Sequence, residues 1–294
     1  MKSLTHHFKD KVAVITGGGS GLGQALSFEL VKNGANVICS DINLELAKNT
    51  VNQIEKANYL GNACAYFLDV CDSENIINFF SAVSKKFGRI DFLFNNAGIA
   101  IGGEIRDLEQ HHWRKVLDVN LYGFINCANE AYKRMIKEKK GHIINITSIA
   151  AITKYTALST PYSVSKTGAL AYSRALQLEA SELGVKVLSV CPGSIKTEIG
   201  ENMEHINSNN KAQQQSKDFI AKGISPNLAA IAILKAIAKD KDEIIFPIAF
   251  KLYYKMIRVL NFIEKQMAIK MITEFRTNIR LNKFQTEYKL NNYE

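Results

Sequence analysis

The chain has 294 residues, 47% of them hydrophobic, and its 37 Lys and Arg against 28 Asp and Glu give a formal net charge of +9. That length and apolar content fit one domain with a substantial core, and no apolar run approaches the roughly 18 residues that a membrane-spanning helix needs. The 5 Cys form no C-x-x-C pair and the 6 His lack metal-ligand spacing, which excludes a disulfide framework and a metal site and fits a reduced, cytoplasmic setting.

The N-terminus carries no apolar signal segment and soon reaches its first predicted strand, Val12-Ala13-Val14-Ile15. The loop Thr16-Gly17-Gly18-Gly19-Ser20-Gly21-Leu22-Gly23 follows, and then an amphipathic helix around residues 25–31. Strand, glycine turn and helix make a phosphate-binding context, because glycine lets the backbone approach a pyrophosphate and the helix N-terminus offers N–H donors. The spacing Thr-Gly-x-x-x-Gly-x-Gly differs from the G-x-G-x-x-G dinucleotide fingerprint.

The second apolar run, residues 36–40, ends at Asp41. A carboxylate there can accept both hydroxyls of an adenosine ribose and would repel a 2′-phosphate, which favours NAD over NADP; alternatively, Asp41 caps the next helix. Further strands are predicted at 64–68, 92–94, 142–147, 186–190 and 243–246, alternating with helix-period segments. The pattern predicts a Rossmann-like, doubly wound parallel sheet of about seven strands, with ligands outside the carboxyl ends of the strands.

Tyr162 and Lys166 stand one helical turn apart, so the ammonium can approach the phenol. Thr160 as N-cap and Pro161 as first helical residue would start that helix just ahead of Tyr162. Bringing a phenol from about pH 10 to about 7 requires roughly 4 kcal/mol of differential stabilisation. A nearby cation supplies part of this and an oxidised nicotinamide the rest, so the pair is sufficient only with a cofactor present.

With this pair stand Asp69-Val70, Asn95-Asn96-Ala97-Gly98, Asn120, Ser148, and Pro192-Gly193 with Thr197, each after its own predicted strand or in a long helix. In this order the residues resemble the short-chain dehydrogenase/reductase family, in its single-domain branch, from about Lys11 to Pro247. The resemblance implies that Tyr162 is the general acid/base, that Lys166 lowers its pKa and binds the nicotinamide ribose, that Ser148 holds the substrate oxygen, and that Asn120 fixes a water linking Lys166 to solvent. It places cofactor contacts on Gly17, Gly19, Ser20, Gly21, Leu22, Gly23, Asp41, Asp69, Val70, Asn95, Ala97, Gly98, Tyr162, Lys166, Pro192, Gly193, Ile195 and Thr197. The gap from Ser148 to Tyr162 is about one residue longer than the commonest family pattern, and a loop at 157–160 would absorb it.

After Pro192-Gly193 the polar stretch 208–215 reads as a mobile lid over the substrate. Residues 1–248 then form the cofactor-binding domain and 249–294 an extension. In the extension Ala249, Leu252, Tyr253, Met256, Ile257, Leu260, Ile263, Met267, Met271 and Phe275 make an apolar helical stripe. The other face carries Lys251, Lys255, Arg258, Lys265, Lys270, Arg276, Arg280 and Lys283 against Glu264 and Glu274. Such a helix either packs on protein or lies peripherally on an anionic membrane at the cytoplasmic face; no nucleic-acid-binding feature accompanies it.

These features predict an enzyme interconverting a secondary alcohol and a ketone with NAD(H), on a lipophilic substrate, as a homodimer or homotetramer. The alternatives are a 3-oxoacyl thioester reductase, and a non-catalytic NAD(H)-binding scaffold or sensor.

Overall fold

In the computed structural model residues 4–290 are described, with side chains described for all of these except 212, 258, 259, 261 and 279–290. Arg258, Arg280 and Lys283 of the predicted cationic face therefore lie outside the described side chains. A short helix α1 (Leu4–Phe8) leads into β1 (Val12–Thr16), and α2 (Gly21–Lys32), β2 (Asn36–Asp41), α3 (Leu44–Lys56), β3 (Asn62–Phe67), α4 (Ser73–Phe87) and β4 (Phe92–Asn95) follow in alternation. Next come the two-residue strand β5 (Ile101–Gly102), α5 (Gln110–Leu117), α6 (Phe124–Lys137), β6 (Gly141–Ile146), α7 (Thr160–Ala180) and β7 (Val185–Pro192). The chain continues through β8 (Glu204–His205), α8 (Asn210–Ala221), α9 (Pro226–Ala238), β9 (Glu243–Phe246), α10 (Ile248–Val259) and α11 (Asn261–Leu290).

Seven strands form one parallel sheet in the order β3-β2-β1-β4-β6-β7-β9, so all seven predicted strands exist and the fold is the doubly wound one. The inner strands β1, β2, β4, β6 and β7 are largely buried because both faces are covered, whereas the edge strands β3 and β9 are only partly buried. In β1, Ala13 and Ile15 face the core built with α2, α3 and α9, whereas Val12 and Val14 face the core built with α4, α6 and α7. The strand order reverses between β2 and β4 on either side of β1, which opens a crevice at the carboxyl end of β1.

The stretch 208–215, expected to be a mobile lid, lies largely in helix α8. The small sheet of β5 with β8, which joins the loop after β4 to the segment after β7, had no periodic signal because each strand has only two residues.

The extension packs on the protein along one side. Ile257 and Phe275 are buried, Arg276 donates to buried Glu104 at 2.7 and 3.0 Å, and Glu264 accepts from the Lys154 N–H at 3.1 Å. The predicted stripe is therefore divided: Leu252, Met256, Leu260, Met267 and Met271 remain exposed. A single-face reading failed because the stripe winds across two helices that join at Leu260.

His142 in β6 is buried beside the Phe92 ring, and burial pushes its pKa down to about 4. The unfolded chain therefore binds this proton at higher pH than the folded one, so stability is full above about pH 6.5 and is lost as the pH falls towards 4. Chemical denaturation at pH 4.5 compared with pH 7 is expected to show a loss of about 2–3 kcal/mol from this group, and His142→Leu should flatten that part of the profile.

Candidate active site

The sequence-predicted residues converge at the carboxyl ends of the strands. The glycine loop follows β1, Asp41 ends β2, Asp69 and Val70 follow β3, Asn95 ends β4, Ser148 follows β6 and Pro192 ends β7. This clustering follows from the parallel sheet, which brings every strand-to-helix turn to one edge.

Close approach explains the glycine loop. Gly17 and Gly21 take φ of +65° and +50°, and a Cβ at Gly23 would overlap the Gly17 carbonyl oxygen. Ser20 stands at the N-cap of α2 without a side-chain capping bond, with Leu22 buried behind it. Asp41 is not the cap of α3; that role belongs to Asn43, whose side chain accepts from Glu45 and Leu46 N–H groups. Instead Asp41 Oδ2 accepts from the Gly19 N–H at 3.0 Å and Oδ1 from the Asn43 N–H at 2.9 Å, which fixes the carboxylate beside the loop. Asp69 Oδ1 accepts from the Cys71 N–H at 2.8 Å, and Val70 is buried against Gly123.

Two residues without an assigned role hold the loop to β4. The Thr16 hydroxyl accepts from the Asn96 and Ala97 N–H groups at 2.9 and 3.0 Å, and Asn96 Nδ2 donates to the Thr16 and Gly17 carbonyls at 3.0 and 3.1 Å. Their signal lay in the motifs Thr-Gly and Asn-Asn-Ala-Gly, whose polar side chains end neighbouring strands. Asn95 by contrast faces away from the crevice. It is buried, and its Nδ2 donates to the Phe124 carbonyl at 2.7 Å and Asn145 Oδ1 at 3.4 Å, because alternation along β4 turns it inward.

Asn120 lies in a π-helical turn, Asp118–Gly123, between α5 and α6. Its carboxamide accepts from the Ile99 N–H and donates to the Ile99 carbonyl, both at 2.8 Å, and also reaches Ser165 Oγ at 3.2 Å. The side chain thus clamps the loop that carries Gly98, and a water held there would need another atom of this residue. Gly98 leaves room beside Asn120 and Lys166: a Cβ on it would lie 3.3 Å from Asn120 Oδ1 and 3.5 Å from Lys166 Nζ.

Helix α7 starts at Thr160 with Ser159 as N-cap, one residue earlier than predicted, and Pro161 in its first turn. Leu158 just before it takes a φ of +63°, in the loop expected to absorb the longer gap. Lys166 Nζ is buried, donates to the Ile146 carbonyl at 3.0 Å and lies 5.8 Å from the Tyr162 ring centre. Burial pushes its pKa down to about 8. The Tyr162 phenol is pushed up by burial and partly drawn back by a hydrogen bond to the Ser148 side chain. The lowered tyrosine pKa expected from Lys166 is therefore not a property of the protein alone, because desolvation of the phenolate is the larger effect.

The remaining motif lies across the crevice. Thr197 Cγ2 would be 3.0 Å from a Cβ at Gly21, Ile195 bridges to Ile224, and the Phe250 ring of α10 lies against Gly193. Among the described residues no cluster of His, Cys, Asp and Glu could hold a metal ion.

Residues 11–207 match the family model described as short chain dehydrogenase. The Mycobacterium tuberculosis protein named "Probable oxidoreductase EphD" is 33% identical over 266 residues, covering 86% of this chain but only 44% of that relative's length. An uncharacterised oxidoreductase of Staphylococcus aureus (strain USA300) is 34% identical over 190 residues, covering 65% of this chain and 80% of the relative. The crystal structure of a short chain dehydrogenase/reductase from Burkholderia phymatum in complex with NAD superposes with a TM-score of 0.79 at 23% identity, covering 88% of this chain and 96% of that one. The family match, the relatives and the seven-stranded parallel sheet agree: this chain belongs to the short-chain dehydrogenase/reductase family.

Proposed function

We propose that residues 1–248 interconvert a secondary alcohol and a ketone by hydride transfer to or from NAD(H), with Tyr162 as the proton-transferring group. The observation that carries this reading is the convergence of Tyr162, the Ser148 side chain and the buried Lys166 ammonium beside Gly98. A pure binding protein has no need of a buried cation one helical turn from a phenol. The residues fit a nicotinamide cofactor, since Gly17 and Gly21 hold the loop at positive φ ahead of the N-terminus of α2 and Asp41 stands at the end of β2 for a ribose. When bound, that cofactor supplies the hydride acceptor or donor.

In this reading Lys166 and Gly98 bind the nicotinamide ribose, Gly17, Gly19, Gly21 and Gly23 the pyrophosphate, Val70 the adenine, and Thr197 with the Ile195 backbone the carboxamide. Ser148 orients the substrate oxygen and Tyr162 gives or takes its proton, so proton and hydride transfer share one alignment. Asn120 is a positioning residue that acts through the loop at Gly98. NAD is preferred to NADP because the Asp41 carboxylate is already fixed beside the loop by two N–H groups. The proposal extends to a lipophilic substrate, to a homodimer through α6 and α7, where Leu178 is 79% exposed, and to a cytoplasmic location with contact at a membrane face through residues 249–294.

NADH formation from NAD with pooled secondary alcohols of graded chain length tests the reaction. Tyr162→Phe is expected to lower kcat by about a hundredfold or more with NADH binding retained, the size of a lost general acid/base. Equal turnover in that variant would overturn the assignment. Asp41→Ala should narrow the preference for NAD over NADP, read as the ratio of kcat/KM for the two cofactors. Gly23→Ala should abolish NADH fluorescence enhancement, because its methyl group displaces the Gly17 carbonyl.

A further inference from the structure

We propose that the outer face of α10, continued through Leu260 to Phe262, docks on an anionic lipid surface. This deepens the membrane-contact reading above and is independent of the catalytic one. The helical period divides α10 cleanly: Phe250, Tyr253 and Ile257 turn towards the protein, with the Phe250 ring on Gly193 and Ile257 buried. On the opposite side Ile248, Leu252 and Met256 are 69%, 60% and 40% exposed at successive i, i+4 positions. Phe262, at the start of α11, is 62% exposed. Large apolar side chains repeated on one exposed stripe mark an interaction surface rather than scattered surface residues.

Charge identifies the partner. Lys251 and Lys255 lie on the same side of the helix as the stripe, are exposed, and make no ion pair among the described residues. The described acidic groups of the segment do not offset them. Glu264 is buried and turned to the Lys154 N–H, and Glu274 lies 3.9 Å from Lys270. Arg276 is directed instead to Glu104. The free surface therefore presents apolar side chains flanked by cations that have no ion-pair partner among the described residues, the arrangement of an interfacial helix with its apolar face in the acyl boundary and its lysines among anionic headgroups. A second copy docked through the same face would bring Lys251 and Lys255 of both copies into one interface with no described acidic group of that face to neutralise them, which opposes pairing. No helix among the described residues is long and apolar enough to cross a membrane, so the contact is peripheral.

Co-sedimentation of the full chain with phosphatidylcholine vesicles, with and without about one-third phosphatidylserine, tests this at low salt. Binding is expected only to the anionic vesicles. Lys251→Gln with Lys255→Gln should weaken it about thirtyfold, from the contribution of two basic side chains at such a surface. Leu252→Asp with Met256→Asp should abolish it while NADH binding and circular dichroism stay as in the parent chain. Absence of binding, equal binding to neutral vesicles, or unchanged binding by either double variant would overturn the proposal. So would a concentration-dependent dimer in light scattering that Leu252→Asp with Met256→Asp dissolves without any vesicle binding, which would assign the face to a second copy. Sedimentation requires no turnover, so failure here is distinct from failure of the catalytic reading.

Discussion

The site is organised around the ammonium of Lys166, buried with the Ile146 carbonyl as its hydrogen-bond acceptor. An ion removed from water is tolerated only where neighbouring groups fix it, and here the acceptor is the last residue of a central strand. The distance from the end of β6 to the first two turns of α7 therefore sets where Lys166 stands, and with it Tyr162 one turn earlier. Burial draws the lysine down to about 8 and the phenol up, so both groups are held away from their solution behaviour.

Buried amides register the surrounding elements. Asn95 joins the Phe124 carbonyl to Asn145, whose Nδ2 donates to Ser173 Oγ at 2.9 Å, so one polar chain ties β4, β6, α6 and α7 together. Asn120 performs the same service for the loop at Gly98, gripping both backbone groups of Ile99 from a π-helical turn. Such turns insert one residue into a helix and redirect a side chain, which is how an asparagine midway between two helices reaches a loop. These amides explain how a glycine-rich edge keeps its shape: apolar packing fixes the sheet, and hydrogen bonds fix the turns above it.

The C-terminal helices serve the two sides differently. Arg276 reaches Glu104 in the loop after β5, and Glu264 reaches Lys154 in the loop between Ser148 and Tyr162. Those loops already meet each other, with the Gly103 N–H donating to the Leu158 carbonyl at 2.8 Å. Helix α11 thus braces two segments adjacent to Tyr162, while α10 sets Phe250 on Gly193 and turns its other face outward. The extension belongs structurally to the surroundings of the site even though the family's strand pattern ends before it.

The sequence by itself determined the sheet, its seven strands and the residues at their ends. Apolar runs with glycine turns are local signals, and a parallel sheet leaves those turns no other edge to occupy. It also gave the tyrosine and lysine, because a four-residue spacing has one meaning on a helix. Only the tertiary structure decided that Asn95 points inward, that Asn43 rather than Asp41 caps α3, that Asn120 grips Ile99 through both its carboxamide ends, and that burial raises the Tyr162 pKa. It alone divided the C-terminal stripe between a packed and an exposed side. Apart from the Asn43 cap, whose partners lie two and three residues on, each of these depends on which long-range neighbour removes water from a group or offers it a hydrogen bond, and spacing along a chain carries no record of that.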